Sequence, residues 1–134
     1  AAFMPIVAGI GGNSGQQALA VSIRSIALGL VRSGDGPSIL SKQLAIGLIN
    51  GCVVGVVAGL AAWIISGNHL YAVVIWLAMI MNMALAGLAG ALIPLILKGM
   101  KRDPAQSSSV FLTAITDTGG FFIFLSLGSF LLLK

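Results

Sequence analysis

The sequence predicts an all-α integral membrane protein: one domain over residues 1–134, built as a polytopic bundle of four transmembrane helices. Three observations carry that expectation. The chain is 58% hydrophobic and only 7% charged, whereas a water-soluble domain carries about a quarter charged residues. Its apolar residues fall into four long blocks, roughly 1–31, 38–66, 69–98 and 107–133. The joints between blocks hold helix breakers, at Asp35-Gly36-Pro37, Ser66-Gly67-Asn68 and Arg102-Asp103-Pro104. Each block exceeds the roughly 10 residues of a membrane strand and suffices for a tilted helix of about 20 residues or more.

The first and third joints carry most of the basic residues, Arg24, Arg32 and Lys42 at one and Lys98, Lys101 and Arg102 at the other. Cytoplasmic connections are enriched in Lys and Arg, so these joints are expected inside and both ends of the chain outside, in a multi-pass protein of the inner (plasma) membrane. Trp63 and Tyr71 flank the second joint, where amphipathic rings favour the headgroup level. The net charge of +4 is confined to these clusters without interleaved aromatic residues, which argues against nucleic acid as a partner. The single Cys52 excludes an internal disulfide and is expected to be a small buried side chain. The opening Ala1-Ala2-Phe3-Met4 has neither an initiator methionine nor the charge of a signal peptide, and reads as the start of a fragment.

Small residues mark where helices should meet. In the second block Gly47, Gly51, Gly55 and Gly59 recur every four residues and strip one stripe of side chains. Ala86, Gly90 and Pro94 repeat the device in the third block, and Gly11 and Gly15 in the first. Asn50 and Asn82 lie mid-span beside these stripes, where an interhelical hydrogen bond is the expected role and a place on an ion path the alternative.

The first block has a polar face: at 100° per residue Pro5, Gly9, Gly12, Asn13, Gln16 and Ala20 fall within about 100° of one another. Gly11 and Gly15 lie on roughly the opposite side, leaving the polar face to offer amide oxygens and accessible carbonyls to a wet cavity. In the fourth block Asp117 is the only ionisable side chain deep in any span, a position that costs about 2.5–3.5 kcal/mol and usually marks an ion or proton path. Ser109, Thr113, Asp117 and Gly120 share a stripe about 80° wide leading to it. No basic residue lies deep enough to neutralise Asp117, so a transported cation is the natural counter-charge. Two chains about a twofold axis would bring two carboxylates to one divalent ion. Mg²⁺ keeps its waters and needs only one or two carboxylates, which narrows the class without fixing the ion.

Three rivals are open to test. Gly12-Asn13-Ser14-Gly15 has the form of an intramembrane serine protease motif, but Ser14 would lie about 16 Å along its helix while His69 sits in a connection, far beyond the roughly 3 Å of proton transfer. A proton- or Na⁺-coupled carrier could use Asp117 alone. A passive assembly module would explain the glycines and leave Asp117 without a purpose.

The run Pro5-Ile6-Val7-Ala8-Gly9-Ile10-Gly11-Gly12-Asn13-Ser14-Gly15-Gln16-Gln17, together with Thr116-Asp117-Thr118-Gly119-Gly120-Phe121, closely resembles the MgtE family of Mg²⁺ channels and transporters. The likeness extends through Ser25–Gly29 and the Asp103-Pro104 joint. It implies a non-enzymatic homodimer in the lipid bilayer that conducts Mg²⁺, with the action on other divalent cations such as Mn²⁺, Co²⁺ and Ca²⁺ left open. The pore would be lined by the first and fourth helices of this chain. By the motif match Asp117 would be the central acidic ligand, acting through waters on a hydrated ion. Asn13 would be a side-chain contact, Gly9 and the backbone near Thr113 would contribute carbonyls, and Gln17 would pack behind. The family's first membrane helix and its cytoplasmic N-terminal and CBS regulatory domains have no counterpart in this sequence.

Overall fold

A computed structural model describes residues 2–133, so Ala1 and Lys134, the ends of the expected first block and of the chain, lie outside the described residues. Among these residues four helices and no strands are found: α1 (Met4–Ala27), α2 (Gly36–Ser66), α3 (His69–Gly99) and α4 (Ser108–Leu132). The chain is an all-α bundle as expected. Consecutive helices run in opposite directions, and their termination follows local chemistry.

The largest departure from the expected blocks is that α1 stops at Ala27 rather than near residue 31. Gly29 takes a left-handed backbone, φ +69°, and its N–H donates to the Ile26 carbonyl while Leu30 N–H donates to that of Ser25, each at 3.0 Å. These are the two bonds of a glycine-terminated helix end. The α3 end is built the same way, with Lys101 N–H on the Lys98 carbonyl and Arg102 N–H on that of Leu97. Here a lysine stands in the left-handed position, φ 55°, a conformation that costs a side-chain-bearing residue about 1–2 kcal/mol. At the second joint Gly67 closes α2 with φ 68°, and Asn68 caps α3 by accepting from the Leu70 N–H.

α3 is the centre of the bundle: half of its most apolar window is buried inside, against 22% for α2 and α4. α1 and α4 pack on α3 and on each other, while α2 leans chiefly on α3. The glycine stripe of α2 makes this contact. A Cβ on Gly47 would stand 2.5 Å from the Met83 carbonyl oxygen, and one on Gly51 would stand 2.6 Å from Ile80 Cα. At Gly55 and Gly59 the approach is less close, with a Cβ standing 3.0 Å from Trp76 Cδ1 and from the Ala72 carbonyl oxygen. Lipid tails are as apolar as the helices, so close backbone packing of this kind supplies the association that hydrophobicity cannot. Trp76 adds a hydrogen bond from its Nε1 to the Cys52 carbonyl, 3.2 Å.

The opposite sides of α2 present Val53, Val57, Ile64 and Ile65, all well over half exposed. Exposed aliphatic surface on this scale marks a lipid-facing boundary. Cys52 belongs to that boundary: it is exposed, not buried as its residue type suggested. α2, α3 and α4 are long and apolar enough to cross a membrane. α1 has 24 residues and so a length of about 36 Å, but is less apolar. The reason is the polar set Asn13, Ser14, Gln16, Gln17 and Ser22, of which Asn13 and Gln16 belong to the expected hydrophilic face while Ser14, Gln17 and Ser22 line grooves toward α2.

Candidate functional site

The polar faces of α1 and α4 meet along an antiparallel seam. Gly15 packs on Leu112, Gly12 on the Thr116 hydroxyl and Ala8 on Gly120, so the two helices run past each other in fixed register. Gln16 ties the seam: its Nε2 donates to Ser109 Oγ at 2.9 Å and reaches Thr113 Oγ1 at 3.4 Å. The Thr113 hydroxyl in turn donates to the Ser109 carbonyl one turn back.

The same register sets the level of Asp117. Its neighbours Thr116 and Gly120 face Gly12 and Ala8, which puts Asp117 at the height between Gly9 and Asn13 on α1. Pro5, Gly9, Asn13 and Ala20 are exposed, as are Ser109 and Thr113 on α4, and Asp117 is half-buried. A Cβ on Gly9 would meet nothing within 4 Å, so its backbone is open to approach. The expected residues Asp117, Asn13, Gly9 and Thr113 thus share one strip on the outer surface of α1 and α4, with Gln16 and Ser109 continuing it toward the α3–α4 joint. Gly120 does not belong to the strip. It is buried against Asn82 and Ala8, a packing position on the neighbouring side of α4.

Asp117 has no hydrogen bond or ion pair among the described residues. Nor do these residues contain a group of three His, Cys, Asp or Glu side chains able to hold a metal. A single chain therefore presents one unneutralised carboxylate among hydroxyl, amide and carbonyl oxygens. Such a donor set holds a hydrated ion through its waters better than it chelates a bare one.

Behind the strip, Asn82 of α3 joins the three helices. It is fully buried, and its Nδ2 donates to the Val7 carbonyl at 2.8 Å. Gly11 and Gly120 leave the space for it: a Cβ on either would stand 2.1 Å or 2.9 Å from Nδ2. Periodicity had placed Asn50 and Asn82 alike beside the glycine stripes. The structure separates them, with Asn82 taking the interhelical bond and Asn50 exposed on a groove between α1 and α2 that Ser14 and Gln17 also line. Replacing Asn82 by Ala removes the bond and leaves a void at the crossing. Interhelical hydrogen bonds in membranes are worth about 0.6–1.7 kcal/mol, so the variant is expected to unfold about 1–2 kcal/mol more easily, measurable by thermal melting in detergent.

Comparison with known proteins finds relatives over most of the chain. The profile of the MgtE family, described as divalent cation transporters, matches residues 4–127. The chain is 30% identical over 129 residues to the magnesium transporter MgtE of Enterococcus faecalis, covering 96% of this chain and 28% of that protein. It is 29% identical over 131 residues to the magnesium transporter MgtE of Thermus thermophilus, covering 97% and 29% respectively. For the Bacillus subtilis magnesium transporter MgtE the identity is 30% over 115 residues, 86% of this chain and 26% of the relative. The chain spans less than a third of the length of these curated relatives.

Proposed function

Because the chain belongs to the MgtE family of divalent cation transporters, we propose that it forms the membrane part of a Mg²⁺ pathway, lined by α1 and α4. The carrying observation is the strip itself: an unpaired, half-buried Asp117 level with the open Gly9 backbone and the exposed Asn13 amide. Left facing lipid, this strip would be costly, since polar groups at membrane depth need a partner or water. A second copy of the chain related by a twofold axis along the membrane normal covers it, encloses water, and brings a second Asp117 to the path.

In that arrangement the two carboxylates balance the charge of one Mg²⁺. The ion keeps its tightly held waters, which donate to Asp117 and are oriented by the Asn13 amide oxygen and by carbonyls near Gly9 and Thr113. The Gln16 bridge to Ser109 and Thr113 holds the two helices apart at a fixed width on the side of the basic joints. α1 crosses the membrane despite its polar residues because its hydrophilic face is turned to this path and its Gly11–Gly15 face to α3. The basic first and third joints lie inside and both ends of the chain outside; Lys98 Nζ, which donates to the Val31 carbonyl at 2.7 Å, ties those two joints together.

The reading is tested by reconstituting the chain in liposomes and following Mg²⁺ and H⁺ movement together. Mg²⁺ entry that follows its own gradient without a matching H⁺ or Na⁺ requirement supports it; entry that occurs only with H⁺ or Na⁺ exchange replaces it with the coupled-carrier reading. Asn13→Ala is expected to lower Mg²⁺ flux several-fold, roughly the effect of 1 kcal/mol of lost ion stabilisation. Its melting temperature should not move, because Asn13 is exposed and has no partner among the described residues.

A further inference from the structure

A cavity of about 320 Å³ opens between the C-terminal end of α1 and the N-terminal end of α2, at the basic end of the bundle and away from the α1–α4 strip. Its polar lining is Ser22, Ser25, Asp35, Ser38, Lys42 and Gln43, set among aliphatic side chains that include Val21, Leu30 and Ile39. We propose that this cavity holds the headgroup phosphate of an acidic phospholipid from the leaflet on that side.

Lys42 has no partner among the described residues, and six basic residues (Arg24, Arg32, Lys42, Lys98, Lys101 and Arg102) stand at this end of the bundle against two carboxylates, Asp35 and Asp103. The Asp35 carboxylate is already engaged, accepting the Arg32 backbone N–H at 2.8 Å, and it makes no cap on α2. α2 begins at this end of the bundle with no side-chain cap, so the Gly36 and Ser38 amides of its first turn carry the positive end of the helix dipole there.

The cavity also holds a polar group without a partner. Ser22 is 5% exposed, lines the cavity, and its Oγ has no hydrogen bond. A buried hydroxyl left unpaired costs free energy that a phosphate oxygen would recover. Gln43, also buried, lines the same space.

The mixed lining favours a lipid over a free anion. From Gln43 the groove continues between α1 and α2 toward the middle of the bundle, with Val21, Ile46 and Ala18 on its apolar side and Ser14, Gln17 and Asn50 on its polar side. At the far half of α1 and α2 a further groove is wholly aliphatic and aromatic, lined by residues such as Phe3, Ile10 and Val57. A soluble phosphate uses none of this surface, whereas an acyl chain can follow its near end. Basic pockets between transmembrane helices at the cytoplasmic level are a recognised setting for acidic headgroups.

The test is native mass spectrometry of the full chain taken from nanodiscs of equal phosphatidylcholine and phosphatidylglycerol. The unaltered chain is expected to retain phosphatidylglycerol about fivefold over phosphatidylcholine, the preference one well-placed cation supplies. Lys42→Gln should remove that preference, while Lys101→Gln, equally basic but outside the cavity, should keep it. Equal loss in both variants, or no preference in the unaltered chain, overturns the proposal. Displacement of the retained lipid by millimolar inorganic phosphate also overturns it, since the cavity would then be a site for a soluble anion.

Discussion

Asp117→Asn should reduce Mg²⁺ flux by at least about tenfold while leaving the bundle folded. The substitution keeps shape, removes the charge, and replaces one acceptor oxygen with an N–H donor. Asp117 has no hydrogen-bond or ionic partner to lose among the described residues, so stability should stay level or rise as a costly intramembrane charge disappears. What is lost is attraction for the ion. Two unit charges about 4 Å apart interact by about 4 kcal/mol in a medium of intermediate dielectric. A fraction of that, about 1.4 kcal/mol, already gives a tenfold effect. Flux in liposomes, with helix content and melting measured on the same preparation, checks it. Unchanged flux would remove Asp117 from the path, and lost flux with a lost fold would leave it a merely structural role.

The second large effect is expected at the α2–α3 contact. Gly47→Leu must place a Cβ 2.5 Å from the Met83 carbonyl oxygen and 2.9 Å from Ala84 Cα, both backbone atoms of a helix that cannot step aside locally. Overpacking a core costs about 1–3 kcal/mol even for single methylenes. Here the two helices must separate, and α2 leans chiefly on α3. Loss of folded protein after solubilisation is the expected result, read by size-exclusion profile and melting. Gly128→Leu is the control: a Cβ there meets nothing within 4 Å, and better helix propensity than glycine, by up to about 1 kcal/mol, should make it neutral or slightly stabilising. If Gly47→Leu melts like the control, the glycine stripe is not what holds α2.

These two predictions rest on features of very different visibility in the sequence. The glycine stripe was legible because absence of side chains at a spacing of four has one economical meaning in a membrane helix. The polar face of α1 and the isolated Asp117 were legible for a similar reason, as each is an expense that lipid does not tolerate without a use. The joints were legible from Gly and Pro, but the end of α1 was not. Gly29 closes the helix only because two backbone bonds form around a left-handed residue, and nothing in the apolar run through Val31 announces it.

Tertiary relations were the least legible. Asn50 and Asn82 occupy equivalent places beside small-residue stripes, and only the register of α3 against α1 and α4 makes one a buried donor and leaves the other on a groove. Gly120 shares a wheel sector with Asp117, yet the close approach of Asn82 turns it into packing. Gln16 was assigned to the polar face. Its bridge to Ser109 and Thr113 depends on the offset between α1 and α4, which no single-helix periodicity contains.

In the proposed dimer Asp117 faces a hydrated divalent ion shared with the same residue of a second copy. Crystals of the protein grown from lipid and soaked in Mn²⁺ test it most directly, through anomalous scattering. The expected result is a peak on a twofold axis between two Asp117 carboxylates, at about 4–5 Å from each, the distance of contact through a bound water. Asp117 turned toward acyl chains, or a dimer whose axis lies away from α1 and α4, would contradict it.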